Sequence, residues 1–270
     1  MDIIDTSPQS RIALVIPAHN EARFIEQSVK SIEQYIISSK LEEKFKFTII
    51  IAEDGSTDNS YEIIKHFATE YENIVISHSL SKLGRGRAVK EAWKNTDAEI
   101  YIYLDADMSV PVQYLNCLIE SCNNAKNEIV TGSRYIETSR VSRPFLRKII
   151  SMSYNSIVNL LFKTGIRDHQ CGFKGVRKNA RDIILRQSIF DDWFWDTEIF
   201  VIAKANRIAV REFPIEWEEK KGSKTPILRL LNDIRVHGLG IAKLFLRRKS
   251  LKALSNSRIR TNSIDRSARP

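Results

Sequence analysis

Short apolar runs rich in β-branched and aromatic residues alternate with segments whose apolar positions recur every three or four residues. The runs at 11–16, 47–52, 73–77, 98–104 and 127–131 each predict a buried strand. Between the first two, apolar side chains at 24, 25, 29, 32 and 36 have helical spacing, which predicts a helix over 21–37. Further helices are predicted over 58–70, with Asp58 as N-cap, over 84–94 and over 111–123. Strand and helix alternate throughout 11–133, so the pattern predicts an α/β fold: a mostly parallel sheet with helices on both faces.

The polar residues that end these runs are the informative ones. The run Ile100-Tyr-Ile-Tyr-Leu104 stops at Asp105-Ala106-Asp107. The first strand stops at Pro17, followed by Ala18-His19-Asn20-Glu21, and the second ends at Ala52 with Glu53-Asp54 behind it. Open α/β sheets bind ligands beyond the C-terminal ends of their strands. An Asp-X-Asp loop suits a hard cation such as Mg2+ or Mn2+, because two oxygens share it and leave places for phosphate and water. One such loop alone is often a solvated turn, whereas three acid-bearing loops along one edge predict a ligand site. Gly84-Arg85-Gly86 opens a helix, where amides and a guanidinium can meet a diphosphate; the ordinary alternative is a plain turn with a solvated arginine.

Composition narrows the class. With 270 residues, 43% hydrophobic and 28% charged, the chain is long enough for one large domain or a domain plus an appendage. Its three cysteines, Cys117, Cys122 and Cys171, have no metal-ligand spacing and suggest a reduced, cytosolic setting. No signal-peptide pattern opens the chain, and no stretch approaches about 20 uninterrupted apolar residues, so no transmembrane segment is expected. The net charge of +9 is uneven. Residues 1–135 hold 14 Lys+Arg against 20 Asp+Glu, while residues 136–270 hold 28 against 13. The basic half suits an anionic membrane, an anionic substrate or nucleic acid.

Taken in order, Ile-Pro-Ala-His-Asn-Glu (16–21), Glu-Asp-Gly-Ser-Thr-Asp (53–58), Gly-Arg-Gly-Arg-Ala (84–88) and Asp-Ala-Asp (105–107) resemble the inverting family 2 glycosyltransferases of GT-A, Rossmann-like fold. Thr-Gly-Ser-Arg-Tyr (131–135), Arg-Asp-His-Gln-Cys-Gly-Phe-Lys (167–174), Trp-Phe-Trp-Asp-Thr-Glu (193–198) and Lys-Gly-Ser-Lys (221–224) narrow the resemblance to the polyprenyl-phosphate sugar synthases, nearest the dolichyl-phosphate β-glucosyltransferase branch. The resemblance spans about residues 11–245. It implies a nucleotide-sugar donor, with UDP-glucose as the leading example, and inverting transfer of the sugar to dolichyl or another polyprenyl phosphate. The lipid-phosphate sugar formed would serve protein glycosylation or cell-surface glycan synthesis.

The resemblance also implies roles. Asp54 would accept the uracil N3 proton, with Glu53 beside it, and Pro17, His19, Glu21 and Ala52 would form the base and ribose pocket. His19 stands where the family usually has another aromatic. Gly84, Arg85 and Lys224 would meet the diphosphate. Asp107 would ligate Mg2+ or Mn2+, and Asp105, with Ala106 between them, would reach the ribose or the metal through water. Ser109 stands where the mannose synthases carry a third ligand, and Glu218 replaces an arginine that precedes the loop lysine there. Arg134, Arg147 and Ser151 would hold the acceptor phosphate. Asp168 would orient a sugar hydroxyl or steer the acceptor, or else be a buried partner of Arg167 or Arg134. A lipid phosphate is already an oxyanion, so it needs positioning cations more than a strong base.

Two later stretches, 143–165 and 226–252, combine apolar faces with basic flanks, the pattern of helices lying in a headgroup layer; the alternative is packing within the protein. The expected layout is a flexible 1–10, a GT-A domain over 11–225 (donor half 11–133, acceptor half 134–225), an amphipathic helical segment over 226–249 and a disordered tail over 250–270. The protein is expected to be peripheral on the cytoplasmic face of a membrane. Two readings compete with this one. Transfer of mannose from GDP-mannose is the first. The second is nucleic-acid binding, suggested by a pI near 9.4, but carboxylate-tipped strands repel phosphates unless a metal is present.

Overall fold

A computed structural model describes residues 9–218 and 234–251. Residues 1–8, Lys224, the start of the expected amphipathic segment and residues 252–270 lie outside the described residues. The alternation becomes β1 (Ser10–Ala18), α1 (Ile25–Ser38), β2 (Phe45–Asp54), α2 (Ser60–Glu70), β3 (Ile74–Ser79), α3 (Arg85–Lys94), β4 (Ile100–Leu104), α4 (Tyr114–Asn123) and β5 (Ile129–Ser133). The second half adds β6 (Arg140–Ser142), α5 (Phe145–Phe162), β7 (Phe173–Arg177), α6 (Lys178–Gln187), α7 (Trp195–Ala205), β8 (Val210–Pro214) and β9 (Glu216–Glu218). Residues 234–251 form a last helix, α8.

Side-chain alternation explains why helices cover both faces. Along β1, Ile12, Leu14 and Ile16 face one core with Ile25, Val29, Ile32 and Leu118. Ala13 and Val15 face the other, with Trp93, Tyr101, Tyr103 and Trp195. The seven-stranded sheet has the order β3-β2-β1-β4-β7-β5-β8. The chain runs outward from β1 to β3, then crosses to place β4 on the other side of β1. That reversal is the switch point at which such sheets bind ligands, and it makes the ends of β2, β1 and β4 neighbours.

Two departures from the sequence pattern matter. The expected helix over 21–37 starts at Ile25, because Asn20 takes a left-handed backbone and Glu21 closes a tight turn with Phe24 and Ile25. And β7 runs antiparallel to both β4 and β5 within the otherwise parallel sheet. This brings the start of β7 to the end of β4, with Phe173 opposite Leu104. The adjoining Gly172 accepts the Asp105 amide, and a β-carbon there would lie 2.0 Å from an Asp105 oxygen.

The described part of α8 seats on the domain through Leu244 and Leu251, both buried, and through Gly240, whose missing side chain admits the Phe194 ring. Residues 250 and 251 still belong to this helix rather than to a tail. Among the described residues no helix is long and apolar enough to cross a membrane.

Candidate active site

The acid-bearing loops meet because their strands are adjacent. Pro17 and Ala18 at the end of β1 lie opposite Ala52 and Glu53 in β2. His19 Nδ1 lies 2.8 Å from the Asp54 carbonyl. The Asn20 side chain accepts the Thr57 amide, and the Glu21 amide donates to Ser60 Oγ, which stitches this loop to the start of α2. Asp58 acts just upstream of the helix cap, accepting the Ser60 and Ala22 amides. Glu53 is buried and accepts the Ser56 amide at 2.6 Å and pairs with His78 at 2.6 Å. Burial pushes its carboxyl up, but these hydrogen bonds hold it below the ordinary range.

Asp54 fixes the opening of α3. Its two oxygens accept the Leu83 and Gly84 amides at 2.6 and 2.9 Å. A carboxylate oxygen has a second lone pair, so Asp54 can still take one more donor. The Gly84 amide, expected to be free for a diphosphate, is therefore already bonded. Arg85, expected to be solvated or held for a diphosphate, is buried instead. It forms ion pairs with Asp105 at 2.7 Å and Asp196 at 3.2 Å, with Trp193 stacked on the guanidinium at 4.4 Å. Below it, the buried Lys174 ammonium pairs with Asp196 at 2.7 Å, and the Tyr103 hydroxyl donates to the same carboxylate. Burial raises the proton affinity of Asp196, but Lys174 and Arg85 hold its carboxyl below the ordinary range.

Asp105, Asp107 and Glu21 form an acidic cluster whose members repel one another. Asp105 is pushed up to about 6, mainly by burial, with Asp107 and Asp196 adding to what Arg85 opposes. Glu21 is pushed up to about 7 by burial, then by Asp107 and Asp105. Asp107 is held by its own loop: its oxygens accept the Ser109 amide at 3.0 Å and hydroxyl at 2.8 Å. Ser109 thus orients Asp107. Met108, between them, has a left-handed backbone (φ 48°), an unusual conformation for a side chain of this size. Among the described residues no three His, Cys, Asp or Glu side chains form a metal cage by themselves. The repulsion among these acids and the two-carboxylate donor set fit a hard cation that brings phosphate and water as its other ligands.

The basic half builds a second wall. Arg134 grips the fully buried Asp168 with two side-chain bonds, 2.7 and 2.8 Å, and its amide adds a third at 3.0 Å. Of the alternatives for Asp168, the Arg134 pairing is the one present; the Arg167 amide goes to Glu212. Burial opposes the Asp168 charge, but Arg134 holds its carboxyl below the ordinary range. Arg147 and Ser151 lie on α5 and line a cavity of about 470 Å³ between α5 and α8, together with Arg143, Tyr154, His237 and Ile241. Arg143 donates to Ser151 Oγ at 2.9 Å. Lys224 lies outside the described residues.

Sequence reading singled out neither Arg143 nor the pair Lys174 and Asp196. The last two stand inside quoted motifs, so their place was visible but their burial was not. Arg143 had only its position at the start of the amphipathic stretch as a signal.

Sheet order and helix placement define an α/β protein of the GT-A fold. Residues 13–184 match the family model described as glycosyl transferase family 2, and the chain belongs to that family. It is 35% identical over 225 residues to glycosyltransferase AglD of Haloferax volcanii, covering 83% of this chain and 36% of that protein. It is 32% identical to dolichyl-phosphate beta-glucosyltransferase ALG5A of Trichomonas vaginalis (80% and 68% covered) and 25% identical to the human dolichyl-phosphate beta-glucosyltransferase (81% and 70%). The chain thus spans about a third of AglD and about two thirds of these other relatives. A crystal structure of glucosyl-3-phosphoglycerate synthase from Mycobacterium tuberculosis, with Mn2+, UDP and glucosyl-3-phosphoglycerate, superposes with a TM-score of 0.64 at 14% identity, covering 87% of this chain and 79% of that one; it shares the fold.

Proposed function

We propose that this protein transfers a sugar, with UDP-glucose as the leading donor, to the phosphate of dolichol or another polyprenol, with inversion at the anomeric carbon. The observation that carries this reading is the presence of two sites. An acidic cluster sits at the sheet's switch point, and a cationic cavity with apolar walls runs between α5 and α8. The names of the relatives supply the acceptor class and favour glucose over mannose.

In this reading the base and ribose lie along Pro17, His19, Glu21, Ala52 and Asp54, and the diphosphate faces Gly84, Arg85 and the acids. Asp107, with Asp105 behind it, would hold Mg2+ or Mn2+, which supplies charge neutralisation for the departing nucleoside diphosphate. The acceptor's phosphate oxygen attacks the anomeric carbon from the face opposite the leaving group. The new C–O bond forms as the old bond to the β-phosphate breaks, and the electron pair leaves on the nucleotide. No proton has to be removed, because the nucleophile is already an anion. Asp168 therefore has no base role, which agrees with both of its oxygens being tied to Arg134. Arg134, Arg143, Arg147 and Ser151 form the cluster that receives the acceptor's head, while Lys224 closes on the diphosphate.

Membrane contact follows from the exterior of the same two helices. Phe145 (77% exposed), Leu146, Met152 and Leu160 stand out from α5, and Leu239 and Leu246 from α8. Lys148, Lys163, Lys243 and Arg248 flank them on the surface. Apolar side chains with basic flanks suit an anionic headgroup layer, on the cytoplasmic side where nucleotide sugars are made. The test is a donor screen: the protein with polyprenyl-phosphate vesicles, Mg2+ or Mn2+, and each UDP- or GDP-sugar, scored for labelled lipid. Label from GDP-mannose alone would replace the glucose reading with the mannose one.

A further inference from the structure

Arginines at the mouth of the cavity differ in how their charge is met. Arg134, the residue that resemblance assigns to the acceptor phosphate, is paired with Asp168 through Nε and Nη2. Arg143 is not met by any acid among the described residues. Its Nη1 donates to two neutral oxygens, Ser151 Oγ at 2.9 Å and the Tyr135 hydroxyl at 3.4 Å, and its Nε is buried with no partner among the described residues. Burial, then Arg134, lower its proton affinity; Tyr135 and Asp168 oppose this, and Arg147 adds a smaller lowering. A partly buried guanidinium facing like charges costs free energy unless an anion completes it.

Its surroundings say where that anion would lie. Arg143 and Arg134 stack on the same Trp217 ring, at 5.4 and 5.5 Å. Trp217 belongs to β9, and the next amide, Glu218, donates to the Ser109 carbonyl. Ser109 is the residue that orients Asp107. Arg143 therefore stands between the cavity it lines and the loop that carries the donor-site acid.

We propose that Arg143, oriented by Trp217 and Ser151, is the principal guanidinium for the phosphate monoester of the lipid acceptor, and that Arg134 serves mainly to neutralise Asp168. This rests on the polyprenyl-phosphate reading above and assigns the work within its cationic cluster. A guanidinium suits the task because its planar fork matches two phosphate oxygens, whereas an ammonium presents a point charge.

The test titrates the full chain with a soluble short-chain isoprenyl monophosphate and with the corresponding alcohol, by calorimetry. Wild type should prefer the phosphate. Arg143→Gln should weaken phosphate binding roughly ten- to a hundredfold, the usual size for a charge-assisted contact. Arg143→Lys should recover part of that loss. UDP binding with Mn2+ should not change, and thermal stability should hold or rise because a like charge has gone. The double variant Arg134→Met with Asp168→Leu removes the other ion pair as a unit and should lose far less phosphate affinity. Wild type that did not distinguish phosphate from alcohol would overturn the lipid-phosphate reading and this inference with it. Phosphate preference retained in Arg143→Gln, or lost mainly in the double variant, would overturn the role of Arg143 and leave that reading standing.

Discussion

Arg85 and Asp105 form an ion pair of 2.7 Å that joins the first turn of α3 to the end of β4, at the switch point of the sheet. The arginine side chain is only 7% exposed and also reaches Asp196. Asp105 is half-buried and Asp196 fully buried, the latter also paired with Lys174, so Arg85 is the cation that the two acids share.

Removing the guanidinium should therefore be costly. Arg85→Ala leaves two carboxylates without their shared partner and is expected to cost about 3–5 kcal/mol, the usual loss when one half of a buried ion pair is removed. Arg85→Lys should cost less, because an ammonium keeps a positive charge beside the acids, although it cannot span both with one planar group. Urea unfolding measures this. A loss below about 1 kcal/mol in Arg85→Ala would show that water, rather than Arg85, balances these acids.

Asp107 is expected to separate chemistry from folding. Among the described residues its hydrogen bonds stay within its own loop. Asp107→Ala should lower transfer at least about a hundredfold with little change in thermal midpoint. EDTA should do the same to wild type, with recovery on adding Mg2+ or Mn2+. Full activity in EDTA would exclude the divalent-metal mechanism.

How far the sequence could be read depended on whether the signal was local. Strand 100–104 and its terminal acids are legible because a fully apolar run that stops at two aspartates is a local feature. Parallel pairing of β1 with β2 and β4 follows from the strand–helix alternation. The antiparallel return of β7 does not, since Phe173–Arg177 carries a lysine, Lys174, that reads as exposed until Asp196 is seen 22 residues away beside it. The same holds for Arg85, whose place in a Gly-Arg-Gly turn suggests solvent, and whose partners come from β4 and the start of α7. Asp168 carries no local sign of its role, because its partner, Arg134, lies 34 residues earlier. Long-range ion pairs decide this site, and they leave no periodic trace.

Gly172 should tolerate no side chain. A β-carbon there would stand 2.0 Å from Asp105 Oδ2, with the other carboxylate atoms within 2.4 Å. Gly172→Ala must push Asp105 away from Arg85, and about 1–3 kcal/mol of stability is expected to go with it. Nucleotide affinity should fall in parallel, as read by calorimetry with UDP and Mn2+. Unchanged binding would mean that Asp105 does not face the donor.

The seat of α8 should weaken as pH rises. Glu198, fully buried on α7, accepts the Ile189 and Phe190 amides and pairs with Arg247 of α8 at 3.2 Å. Burial pushes its carboxyl up to about 7, and these hydrogen bonds and the arginine only partly oppose that. The folded protein thus holds this proton more tightly than the unfolded chain, where a glutamate titrates near 4.3 or so, about its ordinary value. Stability from this group is therefore complete below that lower value and is lost as pH rises through about 7, by at most about 3 kcal/mol. Glu198→Gln keeps a neutral side chain that can still accept the two amides, so it should flatten the profile between pH 5 and 8. Arg247→Ala removes the cation that pairs with the ionised form and should steepen it. Urea unfolding across this range measures both slopes. A wild-type profile as flat as that of Glu198→Gln would show that the carboxylate is ionised throughout and that Arg247 fully balances it.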